Sequence, residues 1–526
     1  MRRKKREALK AKLKTQPSPL LAQALHHGND SGPATPKAGD ITPVSPVVAS
    51  PASEAALNSP APFQIQKDED LANHKVETGE PEGDSPSAAD YDPTLDMKED
   101  RARHDHRLVT DGADLSSSAY DETKDSHDVP MPDAKPKKSS DDEFDMFAAS
   151  SDDDDMFAEG PVKPTTKTKS KSKQLAANLL DNWDDHEGYY RIILGELLDG
   201  RYHVNSILGK GMFSAVVRAE DEQTGKVVAI KIIRTSDAMK KAGLKEIDIL
   251  KTLSDADPDG KRCVIHLERS FEHKGHLCMV FENLSLNLRE VLKKFGRDVG
   301  ISLKAVRSYA RQMFIGLTLL KKCNIVHADL KPDNMLVNDA RNLMKICDLG
   351  SAAIAPVSAT DITPYLVSRF YRAPEIMLGM PYDFAIDTWA VGCTLFELFT
   401  GKILFAGRNN NQMLRCIQEC RGQITLKMLK KANLWDQHFD NNLRFKSAEK
   451  DPVTNKDVVK LLNFTKPTKD LKSRLRKASR GFTGLNNKDL DMFIDLLEKC
   501  LLLNPEKRIT PADALNHPFL KSSASL

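Results

Sequence analysis

The chain has 526 residues and a formal net charge of +2 at pH 7, from 77 basic and 75 acidic residues. Charges so evenly balanced exclude a protein that binds polyanions over its whole surface, but they allow local charged patches. The stretch before residue 181 holds only six aromatic residues but 17 of the 28 prolines, so it cannot bury enough apolar surface to offset its chain entropy. We therefore predict a disordered, low-complexity tail over 1–173, a flank over 174–200 and a folded domain from 201.

The cysteines and the apolar runs limit the kind of protein further. All eight cysteines fall in the folded part, without a CxxC pair or a Cys/His cluster of zinc spacing. The start, MRRKKREALKAKLK, is basic and lacks the apolar run of a signal peptide, and no stretch of 18 uncharged apolar residues occurs. We expect a soluble protein of a reducing compartment, with no disulfide framework and no membrane contact.

The tail contains basic, proline-rich and acidic segments in turn. Basic runs at 2–6 and 163–173 fit either nuclear import or a solvated linker, and seven Ser/Thr-Pro pairs lie between 15 and 135. The peptide Asp-Met-Phe-Ala occurs at 145–148 and again at 155–158, each time among acidic residues. These repeats fit either a docking peptide or an acidic spacer, and the sequence does not separate the two.

From residue 201 the hydrophobic periodicity predicts an α+β fold with two lobes. RYHVNSIL, SAVVRAE and KVVAIKII have the β-branched runs of strands. Helical spacing follows, and beyond 286 most segments are helical. The predicted helical stripes are Leu244, Ile247, Leu250 and Leu253, then Val306, Tyr309, Met313, Leu317 and Leu320, and finally Leu490, Phe493, Leu497 and Leu501.

The first chemical motif is a glycine pair, Gly209 and Gly211, in a turn between two predicted strands. Glycines there allow backbone N–H groups to approach phosphates, and the strand after the turn excludes the dinucleotide fingerprint. On the next strand Lys231 lies on the face opposite Val228 and Ile230, toward the cleft under the turn. Glu246, on the following helix, is within reach of Lys231.

A second group of motifs follows in the predicted large lobe. HADLKPDN spans 327–334, DLG spans 348–350, SRFYRAPE spans 368–375, and DTWAVG opens an apolar helix at 387. Together they supply a carboxylate to accept a hydroxyl proton, an amide and a second carboxylate for magnesium, and a lysine near the transferred phosphate. For Asp387 taken alone, helix capping is the simpler interpretation.

In this order the motifs match the protein-kinase signature set, and the chain resembles a eukaryotic protein kinase over about 201–519. FENLSLNLRE, SRFYR and a charged insert near 405–485 resemble the CMGC group. ITPYLVSRFYRAPE, LREVLKK, KAVRSYARQ and KPTKDL are most similar to the spliceosomal pre-mRNA-processing (Prp-four-type) kinases, as are the acidic repeats and DNWDDHEGYYR. Ser214, Ala328 and Leu349 depart from the usual glycine, arginine and phenylalanine, but none removes a proton acceptor or a metal ligand.

The resemblance implies a small lobe over 201–284, a large lobe over 285–519, a tail over 520–526, and the site residues. Asp329 would be the catalytic base, assisted by Lys331 and Lys231, while Asn334 and Asp348 would ligate Mg²⁺. Glu375 would pair with Arg508. Tyr365 would be an autophosphorylated activation-segment site, received by Arg369 and Arg372. The residues implied around ATP are Leu208, Gly209, Gly211, Val216, Ala229, Lys231, Glu246, Phe281 as gatekeeper, Glu282, Leu284, Asn334 and Asp348.

The implied function is a nuclear serine/threonine kinase that uses ATP and Mg²⁺ to phosphorylate splicing factors of the tri-snRNP. We expect a monomeric kinase domain without sequence-specific nucleic-acid binding. Two alternatives stay open. A dual-specificity tyrosine-regulated or CDC-like kinase is disfavoured by TPY at 363–365 in place of Tyr-x-Tyr, and by NNQML at 410–414 in place of EHLAMMER. A catalytically dead scaffold is disfavoured by the retained Lys231, Asp329, Asn334 and Asp348.

Overall fold

The computed structural model describes residues 71–72, 86–100, 102, 183–355, 365–450, 456–480 and 482–521. A β-rich small lobe precedes a helical large lobe, which confirms the predicted fold class. The basic runs, the acidic repeats and Thr363 lie outside the described residues. No helix of the described part is both long enough and apolar enough to cross a membrane.

The small lobe is built on one antiparallel sheet of six strands in the order β1-β2-β3-β4-β6-β5. The three strands predicted from the sequence are β2, β3 and β4, which are joined by short turns as their β-branched runs require. The strands of this sheet are β1 Leu197–Leu198, β2 Tyr202–Lys210, β3 Ser214–Asp221, β4 Val227–Ile233, β5 Leu267–His273 and β6 His276–Glu282.

Alternating residues of β4 and β6 contribute to two different apolar clusters. Val228, Ile230 and Val280 are buried on one face of the sheet, with Tyr202 and Phe271. Met279 and Phe281, on the opposite face, join the main core that continues into the large lobe. Side chains alternate along a strand, so Ala229 and Lys231 lie on the inner face, toward the large lobe, as the sequence predicts.

Helix α1 (Asp237–Ala256) packs on this inner face and begins at Ser236, whose side chain accepts from the Met239 N–H. The helix predicted from the spacing of Leu244, Ile247, Leu250 and Leu253 is confirmed, and the last three are buried, whereas Leu244 is 47% exposed. Leu244 is exposed because a strict three-residue spacing drifts around a helix of 3.6 residues per turn. Over the nine residues from Leu244 to Leu253 this drift reaches about 180°.

The large lobe contains the remaining long helices of the described chain. Every residue of the two stripes predicted on α2 and at α6 is buried. The helices are α2 Leu303–Lys322, α3 Ala385–Thr400, α4 Asn410–Arg421, α5 Leu471–Ala478 and α6 Asn487–Cys500. Shorter helical turns are Leu288–Val291, Leu292–Gly296, Pro332–Asn334, Leu349–Ser351, Arg369–Tyr371, Pro374–Met377, Leu426–Leu429, Trp435–His438, Pro505–Lys507, Pro511–Leu515 and Pro518–Lys521.

Short two-stranded ribbons connect these helices and carry the site loops. Strands β7 (Ile325–Val326) and β10 (Ala353–Ile354) pair, and β8 (Met335–Val337) pairs with β9 (Met344–Ile346). The insert forms a hairpin of β11 (Phe445–Lys450) and β12 (Asp457–Leu462), which the sequence analysis did not predict. Both strands mix charged with apolar residues, so their period-2 signal is weak.

Part of the predicted tail lies against the large lobe. The Ala88 N–H donates to the Gly401 carbonyl, and the Ile403 N–H donates to the Pro86 carbonyl. Residues 93–100 are helical, and the side chain of Asp92 caps this helix by accepting from the Thr94 N–H at 2.9 Å. We call residues 86–100 the docked segment. Its helix has no apolar stripe, so the sequence pattern does not predict it.

Candidate active site

Lys231 is held between two carboxylates in the cleft between the lobes. Its Nζ lies 2.8 Å from Oε1 of Glu246 and 2.9 Å from Oδ1 of Asp348. Burial alone would lower the pKa of Lys231, but Asp348 and Glu246 outweigh it and raise that pKa above its usual range. The ammonium group therefore stays charged and fixed, as a phosphate contact requires.

Asp348 belongs to the tight turn after β9. Its backbone is left-handed, with φ of 60°, a conformation rare for residues other than glycine and often found at functional sites. Lys231 holds the pKa of Asp348 well below its usual range, so this carboxylate is ionised at neutral pH. Leu349, which follows it, is buried in the main core and retains the apolar packing expected of that position.

Asp329 lies in the loop between β7 and β8, where several donors converge on its carboxylate. Oδ2 accepts from Lys331 Nζ at 2.7 Å, and Oδ1 accepts from the Ser368 hydroxyl at 2.7 Å and the Ser368 N–H at 3.1 Å. Asn334 Nδ2 donates to the Asp329 carbonyl at 2.8 Å. The loop thus gathers the predicted Asp329, Lys331 and Asn334 in one place and adds Ser368, which the sequence analysis did not single out.

Asp387 fixes the backbone of this loop and does not cap its own helix. Its carboxylate accepts from the N–H groups of His327 at 2.8 Å and Ala328 at 3.0 Å. Ala328 adopts φ of 62°, so the chain turns sharply just before Asp329. Burial raises the pKa of Asp387 and outweighs the lowering effects of the nearby His327 and of the two backbone N–H donors. The capping interpretation of Asp387 is therefore wrong.

The glycine turn is supported from the flank that precedes the domain. Gly209 and Lys210 end β2 and pair with Val216 and Ala215 at the start of β3. The Tyr189 hydroxyl donates to the Gly211 carbonyl at 2.7 Å. The ring of Tyr189 also contacts two cations, with Lys210 Nζ 3.7 Å and the Arg234 guanidinium 4.5 Å from its centre. The string DNWDDHEGYYR, which contains Tyr189, does not by itself indicate this contact.

The remaining residues assigned to the nucleotide lie where β4 and β6 run side by side. Ala229 pairs with Phe281, and Val228 pairs with Glu282, the last residue of β6. Phe281 is 9% exposed and packs in the main core, while Leu284 is partly buried against it. The Glu282 carboxylate accepts from Lys345 Nζ at 2.6 Å. Its side chain is thereby turned to the large lobe, and Leu208, at the other end of the cleft, is exposed.

Two buried ion pairs brace the segment that follows Ser368. The guanidinium of Arg508 donates to both carboxylate oxygens of Glu375, at 2.5 and 3.0 Å, and both side chains are fully buried. This confirms the predicted pairing. Arg289 donates to Glu397 at 2.8 Å and to the Tyr371 hydroxyl at 2.7 Å. Such fully satisfied charges hold the loop in one arrangement.

Arg369 and Arg372, the predicted receivers of a tyrosine phosphate, bind carboxylates of the docked segment. Arg369 contacts Asp96 at 2.9 Å and Asp100 at 2.8 Å, and Arg372 contacts Asp100 at 2.6 Å. Arg372 also donates to the Tyr365 carbonyl at 3.1 Å, and its guanidinium lies 5.8 Å from the Tyr365 ring centre. Arg372 is therefore a neighbour of Tyr365, and the carboxylates of the docked segment bind both arginines.

A divalent cation fits the oxygen atoms that Asp348 and Asn334 provide. Among the described residues, no group of three or more His, Cys, Asp or Glu side chains lies close enough to hold a metal by itself. The amide nitrogen of Asn334 is committed to Asp329, so its oxygen is the atom left for a cation. The Cys347 N–H donates to the Asn334 carbonyl at 3.0 Å. This bond keeps Asn334 close to Asp348, the residue after Cys347. Oxygen ligands of this number suit Mg²⁺, which takes its other ligands from phosphates and water.

A two-lobed fold with this lysine–carboxylate cluster above an Asp-Lys-Asn loop is that of a protein kinase. The model of the protein kinase domain family matches residues 202–520. Serine/threonine-protein kinase prp4 of Schizosaccharomyces pombe is 56% identical over 375 residues, which cover 70% of this chain and 77% of that protein. The chain therefore belongs to the protein kinase family and, within it, to the Prp4-type serine/threonine kinases.

Two further relatives are consistent with this assignment. Serine/threonine-protein kinase prpf4B of Dictyostelium discoideum is 44% identical over 403 residues, covering 74% of this chain and 49% of the relative. Dual specificity tyrosine-phosphorylation-regulated kinase 2 of Drosophila melanogaster is 36% identical over 344 residues, which cover 65% of this chain and 44% of that relative. The chain is a protein serine/threonine kinase, and its family implies ATP and a divalent metal ion.

Proposed function

We propose that the chain transfers the γ-phosphate of ATP to serine and threonine residues of splicing factors, with Asp329 as the catalytic base. The observation that carries the chemical part is the convergence of Lys331, Ser368 and Asn334 on Asp329, below the ion pair of Lys231 and Glu246. Asp329 orients the substrate hydroxyl and accepts its proton as the oxygen attacks the γ-phosphorus. The bond to the β–γ bridging oxygen breaks, and ADP leaves.

The surrounding residues each bind a different part of the nucleotide or of the transferred phosphate. Lys231 contacts the α- and β-phosphates, and Lys331 stabilises charge on the transferred group. Gly209, Gly211 and Val216 cover the nucleotide, while the backbone of Glu282 and Leu284 meets the adenine. Asn334 and Asp348 hold Mg²⁺, which when bound neutralises charge on the phosphates. The retained Lys231, Asp329, Asn334 and Asp348 argue against a dead scaffold.

The proposed substrates follow from similarity and not from the geometry. The S. pombe relative, at 56% identity, is named for the prp4 kinase, and the family resembled by the sequence motifs acts on the spliceosome. A nuclear location follows, with the basic runs at 2–6 and 163–173 as import signals. Deleting both runs and imaging a tagged full chain tests this. An unchanged nuclear signal would assign import to another segment.

Cells that carry Phe281→Gly as their only copy test the substrate class. A bulky purine inhibitor should act on this form, and wild-type cells given the same compound are the control. Within minutes of inhibition, phosphorylation of spliceosomal proteins should fall in the variant cells only. If the phosphosites that fall lie on other proteins, the kinase has a different substrate class.

The same proposal includes autophosphorylation of Tyr365. Phosphotyrosine carries about −1.5 to −2 charges and three acceptor oxygens, enough to bind the neighbouring Arg369 and Arg372. Mass spectrometry of the chain produced in bacteria, wild type beside Asp329→Asn, is the test. We expect phosphate on Tyr365 in the wild type alone. An unmodified Tyr365 in the active enzyme would contradict this step.

A further inference from the structure

The docked segment lies on the same surface of the large lobe as the activation segment. It begins with a single β-bridge between Ser87 and Lys402, after which the Ala88 N–H donates to the Gly401 carbonyl and the Ala88 carbonyl accepts from Arg289 at 2.5 Å. Tyr91 then contacts Phe370, with 4.4 Å between the ring centres, and its hydroxyl donates to Asp96 at 2.8 Å. These contacts fix the start of the helix at 93–100 directly over residues 369–372.

The helix is attached by charge. Arg369 and Arg372 are 3% and 1% exposed, and Asp100, which is 4% exposed, contacts both. Burial would raise the pKa of Asp100, but Arg372 and Arg369 outweigh it and lower that pKa below its usual range. Charged groups this deeply buried need their partners, since removing one member leaves an uncompensated charge. The segment is therefore held by buried ion pairs between Asp100 and the two arginines.

The helix also reaches the catalytic loop. Met97 Sδ lies 3.8 Å from Lys331 Nζ, and the same ammonium donates to Asp329. A protein substrate has to bring its hydroxyl within hydrogen-bonding distance of Asp329. Met97 lies beside Lys331 and offers a thioether, which cannot accept a phosphate group. A substrate hydroxyl brought to Asp329 would have to share this space with the helix.

We propose that the docked segment is an intrachain inhibitor, an acidic helix bound at the protein-substrate surface through Asp96 and Asp100. The surface thus accepts an acidic peptide whose carboxylates meet Arg369 and Arg372. Release frees both the arginine pair and the space beside Lys331. This inference rests on the proposed roles of Asp329 and Lys331.

Phosphate on Tyr365 would favour release, because Tyr365 adjoins Arg372 and a phosphate carries more charge than the Asp100 carboxylate. That step also rests on the proposed tyrosine phosphorylation, whereas the inhibition itself does not. The docked and released states are two arrangements of one segment. The ratio of the two states depends on whether Asp100 or the phosphate on Tyr365 binds the arginine pair more tightly.

The test compares the full chain with Asp100→Lys and, as a matched control, Asp90→Lys, an exposed acidic residue of the same segment. The substrate is the serine peptide that the wild-type full chain phosphorylates fastest in a degenerate peptide library. We expect KM for the peptide to fall about tenfold in Asp100→Lys, with KM for ATP unchanged, because breaking a buried ion pair shifts the balance at least that far. Asp90→Lys should match the wild type.

Two measurements keep the outcomes distinct. Amide exchange of residues 86–100 should quicken in Asp100→Lys only, and a synthetic peptide of residues 86–102 should inhibit that variant competitively with the serine peptide. The inhibition would be overturned if KM for the serine peptide in Asp100→Lys were equal to or higher than in the wild type. It would also be overturned if Asp90→Lys lowered this KM as much as Asp100→Lys does. If every form failed to transfer phosphate, the proposed roles of Asp329 and Lys331 would fall and the inhibition with them. Exchange protection that is unchanged in Asp100→Lys would contradict the docking through Asp100, and the inhibition with it, but would leave the proposed roles of Asp329 and Lys331 in place.

Discussion

The carboxylate of Asp387 accepts a hydrogen bond from the backbone N–H of His327 at 2.8 Å, which links α3 to the loop that carries Asp329. A second bond, from the Ala328 N–H, fixes the same turn. Many kinases place an arginine where this chain has Ala328, so a basic side chain is missing there. The position of the catalytic loop therefore depends on a buried carboxylate 60 residues further along the chain.

Asp387→Asn should lower kcat about 100-fold with little change in KM for ATP. The amide turns one of its two acceptor positions into a donor that faces an N–H group, and small displacements of a catalytic group cost about this much. Steady-state kinetics with a serine peptide measures it. Asp383→Asn, which removes an exposed carboxylate at the start of the same helix, is the control. A normal kcat in Asp387→Asn would show that the loop keeps its position without this contact.

Tyr189→Phe should raise KM for ATP about two- to tenfold and leave KM for the peptide unchanged. The change removes the hydroxyl that donates to the Gly211 carbonyl, a bond worth about 0.5–1.5 kcal/mol. The ring contacts with Lys210 and Arg234 remain. Tyr190→Phe, whose hydroxyl donates to Glu196 and not to the glycine turn, is the matched control. Equal effects of the two changes would refute a specific role in the nucleotide loop.

Phe281→Gly should admit enlarged purine inhibitors that the wild type excludes. Phe281 packs in the main core, so the variant should also lose about 3–5 kcal/mol of stability. Inhibition by one bulky analogue is compared with Phe271→Gly, which opens a cavity in the apolar cluster on the other face of the sheet. If both glycine variants respond alike, or neither does, Phe281 does not border the adenine pocket.

His438 predicts an acid-dependent loss of stability in the large lobe. Burial lowers the pKa of His438 to about 4, whereas the unfolded chain takes up the proton near 6.5. The stability is thus complete above about pH 6.5 and is lost as the pH falls toward 4, by about 2 kcal/mol at pH 5. Urea unfolding at pH 7.5 and 5 should show that His438→Asn removes this difference. His203→Asn, at an exposed site, should retain it.

Local patterns singled out the candidate site residues but not the contacts that support them. Lys231, Asp329, Asn334 and Asp348 stand in short motifs with fixed neighbours, so their chemistry could be inferred one motif at a time. The Tyr189 contact with the glycine turn joins residues 22 apart, and the contact of Asp96 with Arg369 joins residues 273 apart. No periodicity encodes pairs at such distances, because only the folded chain brings them together.

Spacing along one element predicts its secondary structure better than the burial of each residue. Leu244 belongs to the spacing that predicted helix α1, but helical geometry carries it to the exposed side. The helix at 93–100 was assigned to the tail because the stretch before residue 181 is poor in large apolar residues. Asp100 is nevertheless buried, since the arginine pair of another element neutralises its carboxylate. Burial of charge depends on a partner that the local sequence does not contain.

Single-turnover phosphorylation of a serine peptide by Asp329→Asn tests the central claim most directly. At saturating ATP the rate of the chemical step should fall about 10²–10⁴-fold, because the amide cannot accept the hydroxyl proton. Thermal melting should show that the variant still folds. Asp333→Asn, which alters a carboxylate of the same loop that binds Arg289, controls for loop damage and should retain a far larger rate. A rate for Asp329→Asn within tenfold of the wild type would contradict Asp329 as the base.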